Sequence, residues 1–478
     1  MYEYSKIKQI VLLLLIVVPM ESYSKKVKPT IDYELIDKIL NETINVKVDP
    51  CHDFNQFSCG KWLNNKDLFF RNVFFRTGES IDQMVDIFFN KYIIGKITYS
   101  SSALETLKFA YKSCVTFNLS LKKTSNIKRI HEECRKEIKN ASQFLVVPII
   151  INEMIGINKI NEHIESIKEM FINMKETFKE IIEEKKWLDR ETKDRIMRKI
   201  DAKEINFTLP KKLKISEIDK EYEILKLHPN SNFLDIKNLL KSFYRLFNRI
   251  SKLDGFGSFS NIVPNAAYNV YSNTVLLYLT FLLEPLYGTR FMTAMRYGGF
   301  GTVLAHEILH GYSGRSLNVI ERYKINELLT EYSQRGYRKR TQCIINQYQN
   351  QTMEESDYKV NGTHTHTENI SDNSGIKLAF RTYKKIVKKY GEEENKMKTF
   401  GNLTNDQLFY ISYAQYFCEK YRPEVIKKIY YEDKHMPGEL RILNVVKNQK
   451  EFAETFNCKA DAEMNPDEKC EIWKSRRY

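Results

Sequence analysis

Hydrophobic residues recur at helical spacing along much of the chain. Between Ile164 and Ile181, alternating steps of three and four residues form one apolar stripe, which is typical of a helix packed against a core. Weaker periodicity predicts four further helical regions: Ile31–Leu40, Ala103–Val115, Ile376–Ile386 and the chain from Leu403 onward. Asp189 is a candidate N-cap for a helix that follows Trp187 and Leu188.

The period changes between Asn261 and Leu283. The segment 265–268, then Val270 and Tyr271, and then the segment from Val275 to Tyr278 are rich in residues that favour strands. We find no internal repeat and no low-complexity segment. The expected architecture is therefore mainly α with a small β-sheet.

An apolar stretch from Tyr297 to Tyr312 contains the pattern His-Glu-x-x-His. On a helix, His306 and His310 share one face and can bind the same metal ion. Glu307 then lies beside the metal, where it can deprotonate a water molecule. Zinc suits two imidazoles and one carboxylate, because this set leaves a position open for water and substrate.

The same two histidines also fit a solvated helix face or a hydrogen-bonded pair in a core. No charged residue other than Glu307 occurs between Arg296 and Arg315, so the helix is expected to be buried. Burying these side chains is costly unless they are paired or bind a metal. Glycines at 298, 299 and 301 allow close approach of other backbone segments. We therefore favour a metal-binding helix, next to strands that can hold an extended peptide.

A third ligand is expected in a second polar segment. Glu368 and Asp372 are four residues apart, so one carboxylate can bind metal while the other accepts the free N–H of a ligand histidine. A solvated capping pair is the other interpretation. His364 and His366 are alternative ligands, but their polar surroundings predict a loop.

The formal charge of +14 raises the possibility of nucleic-acid binding. However, 75 Lys and Arg are interspersed with 61 Asp and Glu, and we find no dense basic block. A basic surface on a secreted protein explains the charge better, and we expect no nucleic-acid partner. A chain of 478 residues is long enough for two or three lobes.

The N-terminus predicts export. Two lysines precede the apolar run 10–18, and Ser22 and Ser24 form a small-residue cleavage site, as in a signal peptide spanning 1–24. The expected product is secreted, without a stable transmembrane anchor; a type II membrane protein with an uncleaved anchor is the alternative. Eight cysteines and eight Asn-x-Ser/Thr sequons agree with disulfide bonds and glycosylation in an oxidising compartment. Asn369 is expected to be unmodified, because it lies within the candidate site.

Seven segments, in order, carry a resemblance that runs almost end to end. They are 50–62, 265–268, 297–311, 368–375, 421–423, 435–441 and 465–473, with sequences that include Asn-Ala-Ala-Tyr, His-Met-Pro-Gly and Cys-Glu-Ile-Trp. In these segments the chain resembles the neprilysin and endothelin-converting-enzyme group of zinc metallopeptidases.

The resemblance implies one Zn²⁺ per chain, bound by His306, His310 and Glu368, with Glu307 as general base. Asp372 matches a carboxylate that is assigned as a proton donor and that also orients His306. We favour the orienting role, because an aspartate tied to an imidazole should stay ionised.

Further roles come only from the resemblance. His435 matches a histidine that stabilises the tetrahedral oxyanion. Asn265 and Ala266 match residues that hold the substrate backbone, and Arg441 matches an arginine that holds a substrate carbonyl. The implied disulfides are Cys51–Cys458, Cys59–Cys418 and Cys343–Cys470. Cys114 and Cys134 are then left, and we pair them as the remaining two cysteines.

The resemblance also implies the domain organisation. Residues 25–255 would form an N-terminal segment and a reduced helical lobe, and 256–478 a zincin (thermolysin-like) catalytic domain. Relative to the family, a helical block is missing between about Cys134 and Ile160. In addition, Ser313 replaces an aspartate, and Thr367 and Ser374 replace glycines.

We therefore expect a secreted zinc endopeptidase that hydrolyses oligopeptides on the amino side of bulky apolar residues. The alternative is a non-catalytic or weakly active relative that binds peptides or proteins. Neither the physiological peptide nor the oligomeric state follows from the sequence.

Overall fold

The structure is a computed structural model, and the described part of the chain has several gaps. It comprises residues 30–64, 84–95, 100–121, 126–209, 214–225, 227, 231–253, 265–321, 324–352, 358–421, 426 and 430–474. The predicted signal peptide, the predicted domain boundary near residue 255, and Arg422 and Pro423 lie outside these residues.

The N-terminal half is almost entirely helical. Its helices are α1 (Tyr33–Thr43), α2 (Phe54–Leu63), α3 (Ser102–Ser120), α4 (Ile127–Ile149), α5 (Ile157–Glu183), α6 (Arg190–Asp201), α7 (Ile215–Tyr222) and α8 (Phe233–Leu253). Short π-helical segments cover Phe89–Ile94 and Ile150–Ile155, and strand β1 covers Glu204–Thr208.

The C-terminal half contains the other strands and seven more helices within its described residues. The strands are β2 (Ala266–Asn269), β3 (Thr274–Tyr278), β4 (Asn318–Glu321) and β5 (Lys324–Glu327). The helices are α9 (Thr293–Gly298), α10 (Phe300–Leu309), α11 (Glu331–Tyr348), α12 (Gly362–Tyr390), α13 (Asn405–Phe417), α14 (Gly438–Lys447) and α15 (Lys450–Thr455).

Periodicity and capping account for the helices predicted from the sequence. Helix α5 extends beyond the predicted stripe at both ends and buries all of it, from Ile164 to Ile181. Asp189 is the N-cap of α6, where its carboxylate accepts the Thr192 N–H at 2.8 Å. This bond satisfies one of the backbone donors left over at a helix start. The predicted mainly α architecture is therefore confirmed.

A three-stranded sheet has the order β1-β3-β2, with β1 parallel and β2 antiparallel to β3. The strands predicted at 265–268 and 275–278 are confirmed as β2 and β3, and Ala266 pairs with Leu277. Val270 and Tyr271, which the sequence also predicts as strand, lie instead in the turn between β2 and β3. Strand β1 is not predicted from the sequence, because its five residues alternate too briefly for their period to be recognised. Among the described strands, β2 lies at the edge of the sheet and pairs on one side only.

Helices α3, α4, α7 and α8 pack mainly against one another. A Cys114–Cys134 disulfide links α3 to α4 within this cluster. Helices α1 and α2 instead lie with the C-terminal half, where α2 contacts α13 and α14. The N-terminal segment and the helical cluster are thus adjacent in sequence but separate in packing.

Three long-range disulfides join distant parts of the chain. They are Cys51–Cys458, Cys59–Cys418 and Cys343–Cys470, the pairs that the resemblance implies. The first two bind the α2 region to the C-terminal helices, so the start and the end of the described chain form one unit. Among the described residues, no helix is both long enough and apolar enough to cross a bilayer.

Close packing of α10 against α12 depends on a glycine. A Cβ built on Gly375 would lie 3.0 Å from the His306 backbone nitrogen and 3.2 Å from the Thr302 carbonyl oxygen. The first of the predicted close-approach glycines serves a similar contact, since a Cβ on Gly298 would lie 2.0 Å from the Phe409 oxygen. Both contacts involve backbone atoms, which cannot rotate away.

We expect Gly375→Ala to separate α10 from α12 and to lower the free energy of unfolding by about 1–3 kcal/mol, the usual cost of overpacking. Ser374→Ala is the matched control, because Ser374 is buried on the same helix and its hydroxyl has no hydrogen-bond partner among the described residues. Chemical denaturation of both variants measures the difference. Equal stability of the two would contradict the proposed packing constraint.

Candidate active site

Helix α10 presents the first part of the site. His306 and Glu307 lie in its last turns, and both are buried. The α-helix ends at Leu309, but His310 keeps right-handed helical angles as the first residue of a short 3₁₀ turn. The four-residue spacing therefore still places both rings on one face, with centroids 4.5 Å apart and planes nearly perpendicular.

Helix α12 presents the second part, and it begins earlier than the sequence suggests. The loop predicted around His364 and His366 is wrong, because the helix starts at Gly362 and includes both histidines. The Asn361 side chain caps this start by accepting the His364 N–H at 3.0 Å. This cap and the long buried helix behind it override the weak helix propensity of the polar, threonine-rich sequence.

Three imidazole rings face one carboxylate oxygen at the centre of the site. Glu368 Oε2 lies 3.2 Å from His306 Nε2, 3.1 Å from His310 Nε2 and 3.3 Å from His435 Nε2. Burial acts to raise the pKa of Glu368, but the three imidazoles outweigh it and hold this pKa far below its usual range. The carboxylate is therefore ionised.

This arrangement fits a divalent metal ion. Glu368 Oε2 is buried and has no well-directed hydrogen bond from any described residue, although three ring nitrogens face it. Buried polar atoms of this kind require a partner, and imidazole nitrogens with one carboxylate oxygen are typical zinc ligands. His306, Glu368 and His435 place their ligand atoms within 4.8 Å of one another, as do His306, Glu307 and His310.

Asp372 determines the orientation of His306. Asp372 Oδ1 lies 2.7 Å from His306 Nδ1. Arg441 donates through Nε to Asp372 Oδ2 at 2.8 Å and through Nη2 to Oδ1 at 2.6 Å. Burial would raise the pKa of Asp372, but Arg441 and His306 hold it well below its usual range. An ionised Asp372 can only accept, so His306 donates from Nδ1, and Nε2 is the ring atom that would bind a metal.

Two supporting side chains were not predicted from the sequence. Ser371 Oγ lies 3.2 Å from His310 Nδ1, where it can accept the ring N–H. Asp433 Oδ1 lies 2.8 Å from His435 Nδ1 and also accepts the His435 backbone N–H at 2.9 Å. Ser371 is three residues after Glu368, and Asp433 is two before His435. Both spacings could have identified them once the histidines were chosen.

His435 lies in the segment before α14 and faces Glu368. Burial acts to lower its pKa, but the hydrogen bond with Asp433 and the nearby carboxylate of Glu368 raise this pKa to about 9. The ring therefore favours its protonated, doubly donating form. Its Nε2 faces Glu368 Oε2, as do the Nε2 atoms of His306 and His310.

The residues expected to bind substrate lie around one cavity of about 1130 Å³. Asn265 and Ala266 form the wall at the start of β2, and the Asn265 carbonyl accepts the Tyr278 N–H at 3.3 Å. Arg441 also borders the cavity, but two of its nitrogens bond Asp372 and its guanidinium stacks 4.2 Å from the Phe417 ring centre. Through Asp372, Arg441 is thus connected to the candidate metal ligand His306.

A buried lysine lies behind this cavity. Lys203 is 2% exposed, and its Nζ donates to Asn273 Oδ1 at 2.8 Å and lies 3.9 Å from the ring centre of Tyr268 on β2. Burial holds the pKa of Lys203 well below its usual value, and burial likewise lowers the pKa of nearby Lys199 to about 8. Sequence periodicity gave no reason to single out either lysine.

Residues 265–472 match the sequence profile of Peptidase family M13, and this range contains every residue of the site. This part of the chain is a neprilysin-like domain of peptidase family M13. Neprilysin-1 of Caenorhabditis elegans is 33% identical over 314 residues, which cover 64% of this chain and 41% of that protein. Human neprilysin is 30% identical over 315 residues, which cover 64% of this chain and 42% of that protein. This chain thus spans about two fifths of the length of these two relatives.

Solved structures share the fold. A Mycobacterium tuberculosis zinc metalloprotease in complex with an inhibitor matches with a TM-score of 0.57 at 21% identity, covering 73% of this chain and 52% of that one. The Haemonchus galactose-containing glycoprotein complex matches with a TM-score of 0.67 at 18% identity, covering 92% of this chain and 99% of that one. The second match shows that this fold extends over nearly the whole length of another chain.

We expect Asp372→Asn to weaken metal binding by about 10- to 100-fold, the usual effect of removing a partner of a ligand histidine. The amide can present its N–H₂ to His306 Nδ1 and thereby favour the wrong tautomer. Competition with a chromophoric chelator measures the affinity. Asp406→Asn is the control, because Asp406 bonds Lys384 on the surface; equal affinities in the two variants would refute the orienting role.

Lys203 and Lys199 should make stability depend on pH above neutrality. Since their folded pKa values lie below the usual value of a lysine, the unfolded chain binds more protons, and stability rises with pH from about 8 toward 10. Lys203→Met should reduce this slope and raise the free energy of unfolding at pH 7. Denaturant titrations at several pH values test this, with Lys112→Met on exposed α3 surface as control. An unchanged slope would disprove the assignment.

Proposed function

We propose that this protein is a secreted, zinc-dependent endopeptidase of the neprilysin type that hydrolyses oligopeptides. The observation that carries this proposal is the convergence of His306, His310 and Glu368 at the wall of a cavity bordered by an edge strand. We also propose that residues 256–478 form the catalytic domain and 25–255 the N-terminal segment with a reduced helical lobe.

His306, His310 and Glu368 would hold the zinc ion. When bound, zinc supplies Lewis-acid polarisation of a carbonyl and lowers the pKa of water toward neutrality. The bonds from Asp372 to His306 and from Ser371 to His310 orient both ligand rings. These bonds reduce the reorganisation that metal binding requires.

Glu307 would act as the general base. It is adjacent to ligand His306, buried, and part of the cavity wall, so it can remove a proton from the attacking water and return it to the leaving amine. His435, which Asp433 orients and which favours the protonated form, would donate Nε2–H to the oxyanion of the tetrahedral intermediate.

The edge strand supports binding of an extended peptide. Strand β2 pairs only with β3 among the described strands, and its residues border the cavity, so a substrate backbone can add to its free side. Asn265 and Ala266 would make the first contacts. Arg441 uses Nε and Nη2 for Asp372, which leaves Nη1 as the donor for a substrate carbonyl.

Apolar side chains support a preference for a bulky apolar residue after the cleaved bond. Phe281, Val303 and Met436 line the cavity together with Phe417, and such a surface favours burial of an aliphatic or aromatic group. Secretion is supported by the pairing of all eight cysteines in disulfides, which persist in oxidising compartments.

Metal content and peptide cleavage test the proposal directly. We expect the secreted, purified protein to contain one zinc per chain and to cleave a quenched fluorescent peptide until a chelator is added. Bound zinc without cleavage of any peptide in a diverse library would refute the peptidase proposal and favour a binding protein. Absence of zinc would refute the metal site.

Glu307→Gln should retain zinc but lose hydrolysis, because the amide keeps the shape of the side chain and cannot accept the proton. General-base catalysis typically contributes about 10²- to 10⁴-fold, so we expect kcat to fall at least a hundredfold. Zinc analysis and single-turnover kinetics measure the two properties, and Glu432→Gln, an exposed change outside this step, provides the control. Turnover near the wild-type rate in Glu307→Gln would rule out this mechanism.

A further inference from the structure

The segment that carries His435 has no regular secondary structure of its own. Residues 431–437 connect Tyr430 to the start of α14 and include both His435 and its partner Asp433. The side chain of His435 is about half exposed. Its position therefore depends on how this short segment is held at its two ends.

Both ends of the segment bond to the same atom. Glu419 Oε1 accepts the Tyr430 hydroxyl at 2.6 Å and also accepts the backbone N–H of Gly438. Tyr430 immediately precedes residues 431–437, and Gly438 immediately follows them. One carboxylate oxygen thus closes the base of the loop that presents His435.

Glu419 is itself attached to a rigid part of the fold. It follows Cys418, which ends α13 and is bonded to Cys59 of α2. Glu419 also caps α14. The helix begins at Gly438, and Pro437 before it has no side-chain acceptor, so the Glu419 carboxylate accepts the Gly438 N–H instead. A negative charge is favourable at a helix N-terminus.

The same helix start affects a second residue of the site. Arg441 lies one turn into α14, and its backbone N–H bonds the Pro437 oxygen at 2.9 Å. Its guanidinium holds Asp372, which orients His306. The Glu419 contacts therefore connect α13 to both His435 and the Arg441–Asp372 pair.

We propose that Glu419 is a positioning residue, which closes the loop 431–437 and thereby holds His435 for the oxyanion step. This inference rests on the function proposed above. Glu419 also borders the cavity, but its Oε1 bonds both ends of the loop, and its proposed role is to hold this loop. Without its contacts, the loop would sample several conformations, and only a fraction of them would place His435 Nε2 beside the reacting carbonyl.

The test uses Glu419→Ala and Glu419→Gln in the full secreted chain, with Glu432→Gln as the control. Glu432 lies in the same loop and is exposed, so its change keeps the loop composition similar and leaves the closure intact. Hydrogen exchange of residues 431–437 in the metal-free protein reports on the loop directly. We expect at least tenfold faster exchange in Glu419→Ala, a smaller increase in Glu419→Gln, which keeps one acceptor oxygen, and no change in Glu432→Gln.

Kinetics then separate positioning from general destabilisation. Misplacement of about 1 Å can cost about 100-fold in rate, so we expect kcat of Glu419→Ala to fall about 10- to 100-fold while KM changes less than about twofold. Zinc content should stay at the wild-type value. If the alanine variant does not fold, the glutamine variant decides, with the same direction and a smaller effect.

The outcomes distinguish this inference from the peptidase proposal. If the wild type cleaves no peptide, the proposed function fails, and hydrogen exchange still decides whether Glu419 closes the loop. Unchanged exchange in both Glu419 variants would overturn the loop closure. Faster exchange with unchanged kcat, or a joint loss of zinc, KM and kcat, would overturn the positioning role.

Discussion

Burial of one ionised carboxylate beneath three imidazoles is the constraint on which the site depends. Glu368 Oε2 faces nitrogens of His306, His310 and His435, and such a group is stable away from water only when its charge is compensated. The cost is distributed over a connected set of charges, because Asp372 holds His306 and Arg441 holds Asp372. Replacing any one member would leave another buried charge without its partner, so the group acts as a unit.

Helix packing supplies the geometry that this charge network requires. Helices α10 and α12 cross where Gly375 meets the His306 backbone. This close approach brings His306 of α10 beside Glu368 and Asp372 of α12. The sheet adds β2 at the cavity edge, and α14 adds Arg441 from a third direction. The α10–α12 pair, strand β2 and helix α14 therefore meet at the site from separate parts of the chain.

The sequence predicts the features that have a local period or spacing. The α5 stripe, the Asp189 cap and the β2–β3 strands follow from patterns within one segment, and they are present. The ligand candidates His306, His310, Glu368 and Asp372 stand out because each pair is four residues apart. Features that depend on contacts between distant segments were not accessible in this way. Strand β1, the start of α12, and the roles of Ser371, Asp433 and Glu419 became visible only when the fold brought their partners beside them.

The disulfides that join the two ends of the chain also alter what a cut in the backbone does. Any single cleavage between Cys59 and Cys418 divides the polypeptide, yet the Cys59–Cys418 bond keeps both pieces in one covalent molecule. The helices on either side of such a nick would remain held at their original positions, with the ligands of α10 and α12 still packed together. In surroundings rich in other proteases, a nicked molecule would therefore persist as a single particle until its disulfides were reduced.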